Sequence, residues 1–182
     1  MKALTSTRQG IELNVEGNPF PEFMELVLGN KPDQCTLVPD EPGALTSDHG
    51  WTLSRDAERV RPLITELKQH GIRVSLFMDP VIDEITIAKE VGADRIELYT
   101  EPFAEDFGTD QQDGTYQQFR AAALHAQELG MGVNAGHDLN LDNLPLLLTI
   151  PNILEVSIGH ALIGDALRVG LRSAVEQYMS KL

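Results

Sequence analysis

Several residues that can move protons or bind phosphate follow short apolar segments of this 182-residue chain. His137 follows one such segment, and Glu16 follows another in the same way. Gly159 and His160 stand between a third apolar segment and the start of a helix-like one. Histidine and carboxylate side chains act as general acids and bases, and the backbone N–H groups at the start of a helix bind phosphate. These residue types therefore indicate acid–base chemistry on a phosphorylated ligand.

Short strand-like segments alternate with helix-like segments along the chain. Runs of β-branched and apolar residues predict strands over 10–15, 34–38, 73–78, 95–99, 132–135 and 153–157. Helical periodicity predicts helices over 21–28, about 54–69, 81–91, about 116–129, 141–148, 161–169 and 170–181. This order implies an α/β fold of parallel strands with right-handed crossovers.

The glycines that end helices just before strands favour one α/β architecture. Gly71, Gly92 and Gly130 recur in this position, and that regularity favours a (β/α) barrel over a doubly wound sheet. A complete TIM barrel has about eight units. We therefore expect a partial TIM barrel, with six of the eight βα units recognisable, that forms a single domain over residues 1–182.

The composition restricts the partners of the chain. Acidic residues outnumber basic ones, 28 to 14, and the resulting net charge of -14 repels nucleic acid and anionic membranes. Cys35 is the single cysteine, which excludes an intrachain disulfide and fits a cytoplasmic location. No apolar run has membrane-spanning length, and no HExxH, CxxC, Walker A or GxGxxG motif occurs. We expect small phosphorylated partners and no metal or nucleotide cofactor.

Glu97 lies in a segment whose alternation predicts its direction. In RIELY, Ile96 and Leu98 share the apolar face that packs against helices in a barrel, so Glu97 is predicted to point inward. An ionised carboxylate is costly there unless it is functional or paired. Its alternative role is a structural ion pair with Arg73 or Arg95. For Glu16 the alternative is a solvated loop carboxylate, and for His137 a helix-capping or loop residue.

Six motifs, in their order and spacing, closely resemble the pyridoxine 5'-phosphate synthases, the ring-closing enzymes of one vitamin B6 pathway. The motifs are NVEGN (14–18), CTLVPDEPGALTSDHGW (35–51), VSLFMDP (74–80), ADRIELYT (93–100), NAGHDLNLDN (134–143) and VSIGHALIG (156–164). The resemblance extends from about residue 10 to residue 182. It implies a TIM barrel, assembled as a homo-octamer, that acts without a metal or organic cofactor.

The implied reaction condenses 1-deoxy-D-xylulose 5-phosphate with 3-amino-2-oxopropyl phosphate to pyridoxine 5'-phosphate, phosphate and water. By motif, the resemblance assigns an acid–base role to Glu16, proton donation to His137 and transition-state stabilisation to Glu97. Thr46 matches a residue that contacts deoxyxylulose phosphate. The residues that match the aminoketone phosphate pocket are Asp138, Gly159 and His160.

The chain departs from the family in two places. Asp138 replaces a common glycine, and its carboxylate should repel phosphate unless it points away or binds only through its backbone N–H. The family also has two βα units before the part that matches Gly10, with a catalytic histidine and phosphate-binding arginines. Residues 1–4 match the interior of the family's second helix. We therefore expect a truncated barrel that is weakly active or inactive alone and prone to associate.

Two other functions remain open at this point. One is a non-catalytic remnant that binds a phosphorylated ligand through Gly159 and His160, or that only self-associates. The other, without the resemblance, is a phosphate-binding barrel isomerase or aldolase. No lysine falls at a predicted strand exit to form the Schiff base of such an aldolase.

Overall fold

The computed structural model of the chain describes residues 10–41, 43–44 and 46–182. Its strands are β1 (Asn14–Gly17), β2 (Gln34–Leu37), β3 (Arg73–Met78), β4 (Arg95–Tyr99), β5 (Gly132–Gly136) and β6 (Ile153–Ser157). Its helices are α1 (Pro21–Asn30), α2 (Leu53–Gln69), α3 (Ile82–Glu90), α4 (Glu101–Asp106), α5 (Gln112–Glu128), α6 (Leu144–Leu147), α7 (His160–Val169) and α8 (Leu171–Met179). The predicted match of residues 1–4 to a family helix lies outside the described residues.

The strands form one parallel sheet in the order β1-β2-β3-β4-β5-β6, which confirms the predicted α/β order. The sheet is strongly curled. Gln34 on β2 donates a hydrogen bond to Glu155 on β6 at 3.2 Å, although three strands lie between them in the sheet. Such a contact needs the two inner faces to approach each other, as they do inside a barrel.

Alternation along the strands separates an apolar outer layer from a polar interior. Leu76, Ile96 and Leu98 face outward and are fully buried with the apolar face of α2, which includes Ile64 and Leu67. Truncating such a side chain to alanine costs about 2–5 kcal/mol. The inward positions include four buried polar side chains, which are Thr36, Ser75, Glu97 and Asn134, and the aromatic rings of Phe77 and Tyr99. The helices therefore stabilise the sheet from outside and leave the interior available for chemistry.

The first predicted strand begins later than expected. β1 starts at Asn14 rather than at residue 10, and Ile11 is 48% exposed. β1 pairs with β2 on one side, and no strand of the described residues pairs with its other side. The segment that contains Ile11 and Leu13 therefore has no second strand among the described residues with which to form backbone hydrogen bonds.

The connection after β4 also differs from the prediction. A short helix, α4, follows β4 at once, and α5 begins at Gln112 rather than near residue 116. Pro102 occupies the first turn of α4, where a missing N–H costs nothing. Phe103 is buried against Phe119 of α5, with ring centroids 5.8 Å apart. This tertiary contact holds α4, for which the sequence predicted no helix.

Asparagine side chains shorten the helix that was predicted over 141–148. The Asn140 backbone N–H donates to Asn143 Oδ1 at 2.8 Å, and Asn143 Nδ2 donates to the Asp138 carbonyl at 3.1 Å. These bonds hold a turn before α6, because asparagine side chains compete with helical hydrogen bonds.

The edge of the sheet at β6 carries exposed apolar side chains. Leu154 lies on β6, Leu167 of α7 is 86% exposed, and Leu171 and Met179 of α8 are more than half exposed. None of the described helices has the length and hydropathy needed to cross a membrane.

Candidate active site

A cavity of about 390 Å³ opens at the carboxyl ends of the strands. All seven site residues named from the sequence line it, namely Glu16, Thr46, Glu97, His137, Asp138, Gly159 and His160. Glu101 and Ser157 complete the lining. The structure thus brings together residues that are as much as 144 positions apart, from Glu16 to His160, and their individual roles stay predictions.

Glu97 points into the interior, as the alternation of β4 predicted. Its side chain is fully buried, and Thr36 Oγ1 lies 3.4 Å from its Oε2. Its Oε1 has no hydrogen-bond partner among the described residues. A Cβ at Gly136 would lie 2.2 Å from that oxygen, so only glycine at position 136 leaves room for the carboxyl group as it stands.

The predicted alternative of an ion pair for Glu97 is wrong. Arg73 pairs instead with Glu12, and Arg95 NH1 lies 3.2 Å from Glu155 Oε2. Both arginines are the first residues of their strands, at the end of the sheet that lies away from the cavity. There Arg73 donates a hydrogen bond to Gln34, and Arg95 donates one to Asn134. Glu97 is therefore a buried carboxyl group without a cationic partner among the described residues.

Burial, and then the charge of Glu16, raise the pKa of Glu97 from its ordinary value of 4.5 to about 8. The hydroxyl groups of Ser157 and Thr36 oppose this shift, but less strongly. Glu97 is therefore mainly protonated at pH 7. A neutral carboxylic acid in such a site can donate a hydrogen bond to an oxygen atom that gains negative charge.

Glu16 follows Val15 on β1 and faces the same cavity, with one side open to solvent. Partial desolvation by the cavity wall, and then the charge of Asp40, raise the pKa of Glu16 above its ordinary value. A carboxylate whose proton affinity is raised is a stronger base, so Glu16 can accept a proton from a substrate.

His137 is held by aromatic packing and by its backbone. Its ring centroid lies 4.9 Å from that of Phe77 and 5.3 Å from that of Tyr99. Its φ of 87° is in the left-handed region, which is uncommon for a residue with a side chain. Thr100 Oγ1 donates to the carbonyl oxygens of Gly136, at 2.6 Å, and of His137, at 2.5 Å. This strained turn aims the ring into the cavity.

Burial lowers the pKa of His137, and the nearby ring of His160 lowers it further. The charges of Asp138 and Asp40 oppose the shift. The neutral imidazole is therefore the main form near pH 7. It can take a proton from one reacting group and return it to another.

The start of α7 faces the cavity with its backbone exposed. Gly159 precedes the helix, and a Cβ added there would meet nothing within 4 Å. The open space leaves the first N–H groups of α7 accessible, and the helix dipole adds positive potential at this end. The arrangement suits a phosphate group or another anion.

Thr46 lines the cavity, and hydrogen bonds hold the residues that follow it in the chain. Ser47 Oγ donates a hydrogen bond to Asp40 at 2.8 Å. Trp51 Nε1 donates to the Leu37 carbonyl at 2.8 Å. Gly50 packs so tightly on β3 that a Cβ would lie 2.2 Å from the backbone nitrogen of Asp79. These contacts hold the residues that follow Thr46, namely Ser47, Gly50 and Trp51, against the sheet and the segment after β2.

Glu101 and Ser157 were not predicted as site residues. Ser157 lies two residues after Glu155 on β6, so alternation could have placed both on the inner face. Glu101 follows β4 after one residue, and this position at a strand exit was the available signal, although α4 itself was not predicted. The cavity consequently contains four carboxyl groups, and no lysine or arginine lines it among the described residues.

The curled parallel sheet and the acid–base groups at its strand ends define a barrel-like α/β protein. Solved structures support this fold. One described as native KDPGal matches 99% of this chain and 75% of its own, with a TM-score of 0.63 and 14% identity. One of mandelate oxidase matches 97% of this chain and 58% of its own, with a TM-score of 0.63 and 10% identity. At these identities the likeness concerns the fold alone.

The chain belongs to the family described as pyridoxal phosphate biosynthesis protein PdxJ, whose model matches residues 1–182. It is 50% identical over 183 residues to pyridoxine 5'-phosphate synthase of Flavobacterium johnsoniae, covering 100% of this chain and 75% of that protein. It is 46% identical over 182 residues to the synthase of Porphyromonas gingivalis, covering 100% and 74%. The resemblance found in the motifs is confirmed.

Proposed function

We propose that the chain catalyses pyridoxine 5'-phosphate synthesis from 1-deoxy-D-xylulose 5-phosphate and 3-amino-2-oxopropyl phosphate. The observation that carries the proposal is the meeting of Glu16, Glu97 and His137 in one cavity beside the open start of α7. Schiff-base formation, dehydration and ring closure each require protons to move between carbon, nitrogen and oxygen atoms. Carboxyl groups whose pKa values are raised toward neutrality, and an imidazole that is neutral near pH 7, serve such steps.

Each group has a role that its environment supports. The aminoketone phosphate group binds at Gly159 and His160, where backbone N–H groups are accessible. Glu97, protonated at pH 7, donates a hydrogen bond where an oxygen gains charge. Glu16 accepts a proton, and His137 transfers protons to the leaving oxygen. Thr46 contacts deoxyxylulose phosphate from its loop.

We further propose that two more βα units complete the barrel. The 183 matched residues are 75% of the Flavobacterium relative, so that protein has about 60 more residues, the length of two units in a barrel of about 250 residues. No strand of the described residues pairs with the outer edge of β1 or of β6, and this and the exposed Leu154 and Leu167 support the completion. The family resemblance supports a homo-octamer in the cytoplasm, and the continuous order of units supports one domain over residues 1–182.

Product formation by the purified 182-residue chain tests the proposed function. We expect slow formation of pyridoxine 5'-phosphate, well below that of a complete relative, and a further loss of about 100-fold or more in His137→Gln. His70→Gln is the matched control, because His70 is an exposed histidine at the end of α2.

Chromatography with both substrates measures the product. No product from the unmodified chain would refute the proposed activity, and binding without turnover would favour the remnant. Turnover equal to that of a complete relative would refute the need for further units.

A further inference from the structure

Glu101 has an acidic environment at the rim of the cavity. It is the first residue of α4 and lines the cavity with Asp138, which follows β5. Burial, and then the charges of Asp138, Glu105 and Asp48, raise the pKa of Glu101. Negative charges on three different segments therefore act on Glu101, and the two of these carboxylates that line the cavity, Glu101 and Asp138, share it with Gly159 and His160.

A ligand that carries only negative charge fits this rim poorly. Like charges within a few ångströms repel one another, and the repulsion grows where water is excluded. The buried Oε1 of Glu97, in the same cavity, also has no donor among the described residues. The unpartnered Oε1 of Glu97 matches an N–H donor, and the carboxylates of Glu101 and Asp138 in the same cavity match a positive charge.

The aminoketone phosphate of the proposed reaction has this composition. Its phosphate group and its ammonium group stand at opposite ends of a three-carbon chain. With the phosphate at the start of α7, the ammonium group remains within the same cavity, which Glu101 and Asp138 also line. Deoxyxylulose phosphate has hydroxyl groups and no ammonium group, so a carboxylate pair distinguishes the two substrates by charge.

We infer that Glu101 and Asp138 bind the ammonium group of the aminoketone phosphate and so select an amine over a hydroxyl or alkyl group at that end. The inference rests on the proposed function. It gives Asp138 a role in substrate choice at a position where its carboxylate alone would weaken phosphate binding. Both residues are specificity-determining carboxylates and take no part in the proton transfers assigned to Glu16 and His137.

Two stable ligands isolate the ammonium group from the phosphate group. They are 3-aminopropyl phosphate and propyl phosphate, and calorimetric titration at low salt measures the affinity of the full chain for each. A hydrogen bond to a charged partner corresponds to about a tenfold change in affinity or more. We therefore expect the unmodified chain to bind 3-aminopropyl phosphate at least about tenfold tighter than propyl phosphate.

Glu101→Gln should lower that ratio to about threefold or less and leave the affinity for propyl phosphate unchanged or higher. Asp138→Asn should also lower the ratio. Glu105→Gln is the matched control, since Glu105 lies on α4 and is exposed but does not line the cavity. Circular dichroism confirms that each variant is folded, and the near-isosteric amides keep the packing.

Different results would overturn the inference and the proposed function. If both phosphates bind the unmodified chain with equal affinity, or if Glu101→Gln keeps the full preference for the amine, the inference is overturned and the proposed function stands. If neither compound binds, the inference, the phosphate pocket and the proposed function are all overturned. A loss of preference in Glu105→Gln equal to that in Glu101→Gln would show a general charge effect and also overturn the inference.

Discussion

Glu97→Gln should remove a large part of the pH dependence of folding stability. The folded state raises the pKa of Glu97 from 4.5 to about 8, which corresponds to about 5 kcal/mol at 1.36 kcal/mol per pKa unit. Because the folded pKa is the higher one, the folded state binds the proton more tightly. The contribution of the Glu97 proton to the free energy of unfolding is full below pH 4.5 and is lost as the pH rises through about 8.

Between pH 5.5 and 8.5 this loss is about 3 kcal/mol in the unmodified chain. Glutamine stays neutral over the whole range. From pH 5.5 to 8.5 the free energy of unfolding of the variant should therefore rise by about 3 kcal/mol relative to that of the unmodified chain. Urea unfolding followed by circular dichroism at both pH values measures the difference. Glu128→Gln, a change of an exposed glutamate on α5, is the control and should follow the unmodified chain.

An equal pH dependence in Glu97→Gln and the unmodified chain would refute the reasoning. It would mean that Glu97 is already ionised in the folded protein at pH 5.5, and that the buried Oε1 has found a donor. The proposed hydrogen bond from a neutral Glu97 to a developing oxyanion would then fail as well.

Two further changes test how the cavity is built. Gly136→Ala places a Cβ 2.2 Å from Glu97 Oε1, so we expect a loss of about 1–3 kcal/mol in urea unfolding, partly restored by Glu97→Ala; full stability in the single variant would show that the carboxyl group moves freely. Trp51→Phe removes the 2.8 Å hydrogen bond to the Leu37 carbonyl and should cost about 1–3 kcal/mol and raise the KM for deoxyxylulose phosphate more than that for the aminoketone; an unchanged KM would separate this anchor from the Thr46 loop.

Local sequence patterns were sufficient for the order of the elements and for the direction of individual strand residues. The period of two in β4 placed Glu97 inside, because successive side chains of a strand point to opposite faces. The parallel order followed from the alternation of strands and helices. The six motifs identified the family, and with it the seven residues that the structure brings to one cavity.

Long-range contacts decided the rest. The curl of the sheet decides the ion-pair partner of Arg95, because it brings Glu155 of β6 close to that side chain. Glu97 is left without an ion-pair partner among the described residues. α4 exists because Phe103 packs on Phe119, and with it Glu101 enters the cavity. No local period encodes such contacts, since their energy comes from side chains that meet only after the chain has folded.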